Sequence, residues 1–165
     1  MDYRSWLEQI PTEIKDDALW RMEVYRLALF VGDLAWHDAQ KLLRNRITRD
    51  LADQLYRAAA GISPNIGEGY SRASSRDQAR FYEYGLGSSR EARDWYFKGR
   101  HVLTPEVIHH RIKLHTEIAR HLTRMIQTHR AKPIKEAPQL YYPETESELM
   151  KNIPFSPNLD LQTVQ

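Results

Sequence analysis

The sequence contains no cysteine, which excludes several classes of protein at once. A chain without thiols has no disulfide scaffold, no thiolate metal site and no cysteine nucleophile. Its 165 residues are enough to bury a substantial core in one domain without such staples. The absence of cysteine fits a reducing compartment, and we expect a cytoplasmic protein.

Long apolar runs are missing as well. No stretch approaches the roughly 18 consecutive apolar residues that a membrane-spanning helix needs. The first residues lack the basic-then-apolar order of a signal peptide. We therefore expect no membrane segment.

Glycine and proline are sparse before residue 131, which favours helices, and apolar periodicity predicts four of them. The predicted helices run from about Asp17 to the low forties, from after Thr48, from a capping serine at Ser74 or Ser75, and from Thr104-Pro105-Glu106 to near Arg130. With short connections and no strand signal, the fold prediction is an all-α, up-and-down four-helix bundle.

The chain divides into three parts. Residues 1–16 form an N-terminal segment and residues 17–130 form the predicted bundle. Residues 131–165 hold five of the eight prolines and no clear apolar period. We predict that this last part is a Pro-rich arm that is extended or disordered.

Proline and glycine predict two irregular places inside the helices. Pro64 lies in the apolar stripe of the second helix, where it predicts a kink or an early end, and Gly67 and Gly69 would then stop the helix. Gly85 and Gly87 lie in the third helix, where they predict that another backbone approaches closely.

Enzyme signatures are weak. The Glu-x-x-His spacing of di-iron bundles occurs once, at Glu106 and His109, whereas such sites need two copies. The seven histidines include no pair four residues apart, and no nucleophile elbow or phosphate loop is present. We expect a protein that is not an enzyme and that needs no metal or other cofactor. The histidines are then interpreted as surface and helix-seam residues, with His115 and His129 on the seam.

Basic residues are concentrated in the middle of the chain. Residues 41–130 carry seventeen basic and nine acidic groups, a net charge of +8, whereas both flanking parts are acidic. Two stripes stand out: Arg72, Arg76 and Arg80 at the start of the third helix, and Lys113, Arg120 and Arg124 on the fourth, joined by His110 and His121. These stripes are candidate contacts to nucleic-acid phosphates. A solvated helix surface is an equally good interpretation of the charges alone.

One stretch resembles a family signature. It comprises Gln54-Leu55-Tyr56-Arg57-Ala58-Ala59 and Ile62-Ser63-Pro64-Asn65-Ile66-Gly67-Glu68-Gly69-Tyr70-Ser71-Arg72, followed by Ser75, Phe81, Gly85-Leu86-Gly87-Ser88 and Glu91. This pattern, with Met22-Glu23-Val24-Tyr25, is similar to that of the four-helix-bundle proteins called 23S ribosomal RNA intervening-sequence proteins. The resemblance covers about residues 18–130. Gly61, Gly67 and Gly85 depart from the family's usual serine and alanines.

The resemblance implies a non-enzymatic bundle that assembles into five-membered rings. A related branch, the accessory variability determinants of diversity-generating retroelements, binds nucleic acid and a reverse transcriptase. The family brings no catalytic residues. Within its motif, we interpret Asn65, Glu68 and Gly69 as structural: the first two satisfy backbone groups at a helix end, and Gly69 adopts a left-handed turn.

Three functional hypotheses follow. The first is a homopentameric accessory protein that binds RNA or DNA, acting on structured RNA or assisting a reverse transcriptase. The large aromatics of the third helix (Phe81, Tyr84, Trp95 and Phe97) favour an oligomer because they exceed what one bundle buries. The second is an oligomeric protein-binding adaptor without a nucleic-acid role. The third is a metal-dependent bundle enzyme.

Overall fold

The structure is a computed structural model that describes residues 2–130, 151 and 153–156; most of residues 3–129 are helical, and no strand occurs among the described residues. The α-helices are α1 (Tyr3–Gln9), α2 (Thr12–Lys15), α3 (Glu23–Leu43), α4 (Arg49–Ala60), α5 (Ile62–Tyr70), α6 (Ser75–Lys98) and α7 (Pro105–His129). Short 3-10 turns lie at Ala18–Arg21, Arg46–Thr48 and Gly99–His101. The predicted all-α class is confirmed. No helix among the described residues is long and apolar enough to cross a membrane.

The apolar faces of the helices meet in two clusters. The first joins α1, α5, the first halves of α3 and α6 and the second half of α7, around side chains such as Phe30, Ile66 and Ile118. The second joins the end of α3, α4 and the facing ends of α6 and α7, around Leu42, Leu55 and Val107. Each long helix therefore contributes a stripe with a period near 3.6 residues to a continuous interior.

Helices α6 and α7 pack against each other in antiparallel fashion. Glu83 near the start of α6 pairs with Arg130 just after α7, whereas Arg93 near the end of α6 donates to Thr116 in the middle of α7. The cap of each helix is the one that the sequence predicts. Ser74 Oγ accepts from the Asp77 amide at 3.1 Å, and Thr104 precedes a proline in the first turn.

The N-terminal part is more structured than the sequence prediction. The segment 1–16 contains α1, whose Trp6 is buried against Phe30 with ring centroids 5.0 Å apart. The indole Nε1 of Trp6 donates to Asp33 Oδ2 at 2.5 Å. The first long helix starts at Glu23, later than predicted, because Asp17 caps the separate 3-10 turn instead. The apolar residues of that turn continue the helical period of α3 in the sequence, although the turn and α3 are separate elements in the structure.

The predicted second helix is interrupted at Gly61, which separates α4 from α5. Pro64 has no amide hydrogen to donate to the carbonyl of Ala60, so the regular ladder cannot continue there. The side-chain amide of Asn65 donates to the Gly61 carbonyl at 2.7 Å and supports the junction. The sequence placed the disturbance at the right turn of the helix.

Gly69 approaches a neighbouring helix closely, in a way that corrects the prediction. Helix α5 continues through Gly69 to Tyr70, so Gly69 neither stops the helix nor adopts a left-handed turn. A Cβ atom there would lie 2.6 Å from a ring carbon of Tyr82. The close backbone approach predicted at Gly85 and Gly87 is not found: a Cβ at Gly85 would be in ordinary contact, 3.7 Å from the Ile62 carbonyl, and Gly87 faces open space.

These environments predict opposite effects for the same substitution. We expect Gly69→Ala to lower the free energy of unfolding by about 1–3 kcal/mol, because the Tyr82 ring must shift to admit a methyl group. Gly87→Ala should raise it by about 0.5–1 kcal/mol, since the site is open and alanine favours the helix. Urea denaturation followed by circular dichroism measures both. Equal effects of the two substitutions would contradict the packing role of Gly69.

Candidate nucleic-acid interface

The first predicted basic stripe lies around the start of α6. Arg72 belongs to the connection between α5 and α6, Arg76 to the first turn of α6 and Arg80 to the second. All three side chains are exposed. The capping interaction at Ser74 fixes the direction in which α6 leaves this connection, and therefore sets the spacing of the arginines.

Aromatic rings hold two of these arginines. The Arg72 guanidinium lies 4.6 Å from the Phe81 ring centroid and pairs with Glu68 at 2.5 Å. Arg80 Nε donates to the Tyr84 hydroxyl at 2.7 Å. Cation–π contacts of this kind order a guanidinium without neutralising it. The Glu68 carboxylate does offset the charge of Arg72, so Arg80 keeps more of its attraction for an anion.

An open depression joins Arg76 and Arg80 to the end of α7. Its lining residues are Ser74, Arg76, Asp77, Arg80, Glu83, Tyr84 and Arg130. Glu83 pairs with Arg130, whereas Arg76 forms no ion pair with any residue that the structure describes. Three guanidinium groups thus face two carboxylates around a half-exposed tyrosine ring. This arrangement can accept a phosphate group next to a stacking surface.

The second basic stripe is separate from this depression. Arg124 is exposed, but Lys113 and Arg120 are half-buried, and Arg120 pairs with Glu117 at 2.5 Å. His110, which the sequence placed on this stripe, is buried instead. None of the three predicted cations Lys113, Arg120 and Arg124 lines the depression at the start of α6. The six predicted residues therefore do not form one continuous site.

The family-motif residues act within the fold. Asn65 contacts the Gly61 backbone, as described above, whereas the contact of Glu68 is its ion pair with Arg72 rather than a backbone group. Gly69 provides room for Tyr82. The motif thus ties α5 both to the junction with α4 and to the exposed arginine cluster.

The interior contains a buried polar network that was not predicted from the sequence. Asp38 on α3 and Arg111 on α7 are both inaccessible to solvent and form an ion pair, with Arg111 Nε 2.7 Å from Asp38 Oδ2. The Tyr96 hydroxyl on α6 donates to the same oxygen at 3.0 Å. Burial raises the pKa of Tyr96 well above its usual value, and the charge of Asp38 adds to the effect. Tyr96 is therefore a fixed hydrogen-bond donor.

Two buried histidines flank the ion pair. Arg111 Nη1 lies 2.8 Å from His110 Nδ1, which must accept because a guanidinium only donates. His115 is fully buried 5.6 Å from the Tyr96 ring, and Ser89 Oγ donates to its carbonyl at 2.9 Å. Burial, with the charges of Arg111 and Arg93, lowers the pKa of His115 to about 3. His115 is therefore on the seam, as predicted, and is neutral.

The network has the features of a structural centre rather than a reactive one. The oxygens of Asp38 accept hydrogen bonds from Arg111 and Tyr96. No group of three potential metal ligands occurs in the described part of the chain. A sequence signal did exist, because Asp38 and Arg111 fall on the apolar stripes of their helices, where a charge is unusual.

The described residues define an all-helical protein with a cluster of exposed arginines at the start of α6. A family model described as 23S rRNA-intervening sequence protein matches residues 21–124. The chain therefore belongs to the family of 23S rRNA-intervening sequence proteins. Comparisons with curated proteins and with solved structures gave no match.

The buried ion pair makes a clear prediction for stability. Asp38→Ala should lower the free energy of unfolding by about 3–5 kcal/mol, because it leaves the Arg111 charge buried without its counter-ion. The matched control is Asp53→Ala on α4, which breaks an exposed ion pair with Arg57 and should cost less than about 1 kcal/mol. Chemical denaturation of both variants tests the difference. A loss for Asp38→Ala no larger than the control would show that the interior pair is solvated.

His115 makes the stability depend on pH. Its pKa falls from 6.5 to about 3 on folding, so below pH 6.5 the unfolded chain binds a proton that the folded chain does not. Stability should therefore fall as the pH is lowered from 6.5 towards 3, with a slope of up to about 1.4 kcal/mol per pH unit from this residue. Denaturation at pH 7 and pH 5 should show a smaller difference in His115→Gln. Exposed His109→Gln is the control and should keep the full difference.

Proposed function

We propose that this protein is a non-enzymatic nucleic-acid-binding accessory protein that works as a homo-oligomer, with a pentamer as the expected assembly. Its target is structured RNA, or a nucleic acid handled by the reverse transcriptase of a diversity-generating retroelement. The proposal rests on one observation above the others, the exposed cluster of Arg76 and Arg80 beside Tyr84 at the start of α6. The description of the family, which names ribosomal RNA, supports the same direction.

The chemistry of the cluster fits recognition of shape and backbone rather than of sequence. Guanidinium groups bind phosphate oxygens in pairs, and each such contact displaces counterions from the polyanion. The neighbouring aromatic ring offers a stacking surface for an unpaired base. Because each copy presents only a few cations, affinity in this proposal depends on several copies binding together.

Exposed apolar side chains support an assembly of copies. Trp36 on α3 is 52% exposed and packs against Tyr56 of α4, with ring centroids 5.4 Å apart. Ile47, in the connection between these helices, is 90% exposed. Phe97 is 55% exposed near the end of α6. Apolar surface of this kind on a monomer commonly belongs to an interface.

Within this proposal, α4 and α5 together act as one broken helix. The long helices α3 and α7, the α4–α5 pair and α6 then form an up-and-down four-helix bundle of the kind expected from the family. We further propose a cytoplasmic location, where ribosomal RNA and reverse transcripts are found. The Pro-rich arm lies largely outside the described residues.

A second candidate function is a protein-binding adaptor. It is favoured by the exposed apolar side chains Trp36 and Ile47, which would suit a protein partner. The two functions differ in their response to salt, since binding through phosphates weakens steeply as salt rises, whereas apolar binding does not.

The decisive measurement is RNA and DNA binding at two salt concentrations, on protein whose mass is known from light scattering. Binding should weaken steeply between low and physiological salt. The double substitution Arg76→Glu with Arg80→Glu should weaken binding by at least about tenfold and reduce the salt dependence, because two phosphate contacts are lost.

The matched control places the same charge change on another face. Arg49→Glu with Arg57→Glu alters two exposed arginines of α4, which lie outside the depression. Binding in this control should stay close to that of the unaltered chain. An equal loss in both double variants would mean that net charge alone drives binding, and no binding by an oligomer at low salt would favour the adaptor.

A further inference from the structure

The short segment Ile153–Ser156 lies against the bundle, far along the chain from the helices that it contacts. Ile153 is buried in the first apolar cluster, and Ser156 is buried beside the start of α7. Residues 131–152 connect it to α7, and 22 residues can span up to about 75 Å when extended. Helix α7 is only about 37 Å long, so the connection is ample for the segment to return to the start of α7.

A cleft between α3 and α7 receives the segment through its backbone and cap groups. Arg111 Nη2 donates to the Pro154 carbonyl at 3.0 Å, and Lys41 Nζ donates to the Ser156 carbonyl. The Thr104 backbone amide, at the start of α7, donates to Ser156 Oγ at 3.1 Å. One donor each from α3, from α7 and from the residue before α7 therefore binds two carbonyl oxygens and one hydroxyl oxygen of the segment.

Side chains add selectivity to these contacts. The Phe155 ring lies at right angles to His37 with centroids 5.9 Å apart, and the Arg111 guanidinium lies 5.3 Å from its centroid. Pro154 disfavours a helical conformation of Ile153 and so lowers the conformational freedom that the segment loses on binding. An apolar residue, a proline, an aromatic ring and a small hydroxyl residue thus each meet a different part of the cleft.

The cleft does not need the segment in order to form. Asp38, which also accepts from Tyr96, already holds Arg111 in place from the interior, and His37 and Lys41 belong to the second half of the long helix α3. The segment itself remains partly open, since Phe155 is 37% exposed. Pro154 and Phe155 thus stay partly accessible between the buried residues Ile153 and Ser156, as in a peptide bound in a groove.

We propose that the cleft between α3 and α7 is a peptide-binding site, and that its resident ligand is the segment Ile153–Ser156 of the same chain, bound reversibly. The site recognises an extended peptide with the pattern apolar residue, proline, aromatic residue, serine. While the chain's own segment is bound, the cleft is closed to other peptides of this pattern. This site is independent of the arginine cluster at the start of α6.

The first test uses the complete chain with a weakened segment. A labelled peptide with the sequence of residues 150–158 should bind saturably to the variant Ile153→Asp with Phe155→Ala, as measured by fluorescence anisotropy. Its affinity for the unaltered chain should be at least about tenfold lower, because the tethered segment competes for the cleft. Lys151→Ala, an exposed change next to the segment, should behave like the unaltered chain.

Two results in this test would overturn the proposal. One is a variant that keeps its helical circular dichroism and thermal midpoint yet does not bind the peptide. The other is a short RNA, rather than the peptide, that binds the variant more tightly than the unaltered chain, which would make the cleft an anion site.

A second test identifies the source of the segment and uses the natural absence of cysteine. The pair His37→Cys and Phe155→Cys should be joined within one chain by a short bifunctional maleimide, seen as the loss of both free thiols without a dimer band on a denaturing gel, because the side chains at these two positions are in contact. Trp36→Cys with Phe155→Cys is the control and should not cross-link, since Trp36 contacts α4 instead. Cross-linking between chains in a mixture of the two single variants would assign the ligand to a second copy, and no cross-link in the first pair would show that the cleft is empty.

Discussion

The buried ion pair between Asp38 and Arg111 is the constraint on which the rest of the structure depends. It lies where α3, α6 and α7 meet, and Tyr96 completes it from the third helix. A buried pair adds little net stability over apolar residues of equal volume, because both charges lose their water. We infer that its contribution is alignment, since only one register of the three helices satisfies every donor and acceptor.

This alignment reaches the surface in two directions. Along α7, the register set at Arg111 brings Arg130 beside Glu83, which shapes the depression around Arg76 and Arg80. At the other end, the same guanidinium holds the Pro154 carbonyl and supports the Phe155 ring. The interior pair therefore contacts the proposed peptide site directly, whereas the proposed nucleic-acid surface lies near the other end of α7.

The sequence predicted what depends on local spacing. The apolar period of α3 and α7, the caps at Ser74 and Thr104 and the break near Pro64 follow from neighbours a few residues apart. It failed where distant contacts decide: Trp6 is buried only because Phe30 lies beside it, and Gly69 is required by the ring of Tyr82. The exposed arginines were found as a pattern, but their separation from the cations of α7 is a property of the packed helices.

A charged residue at an apolar helix position predicts contacts between helices better than an exposed basic stripe does. The cations of an exposed stripe can remain solvated in many arrangements of the helices, so the stripe does not say which helices meet. Lys113 on the predicted stripe is half-buried, and Arg120 is paired with Glu117. A charge on a core stripe must find a partner across the interior, so Asp38 on α3 requires a cation on a facing helix. Arg111 is the cation on the apolar stripe of α7, and its pairing with Asp38 brings the two helices together at this level of the interior.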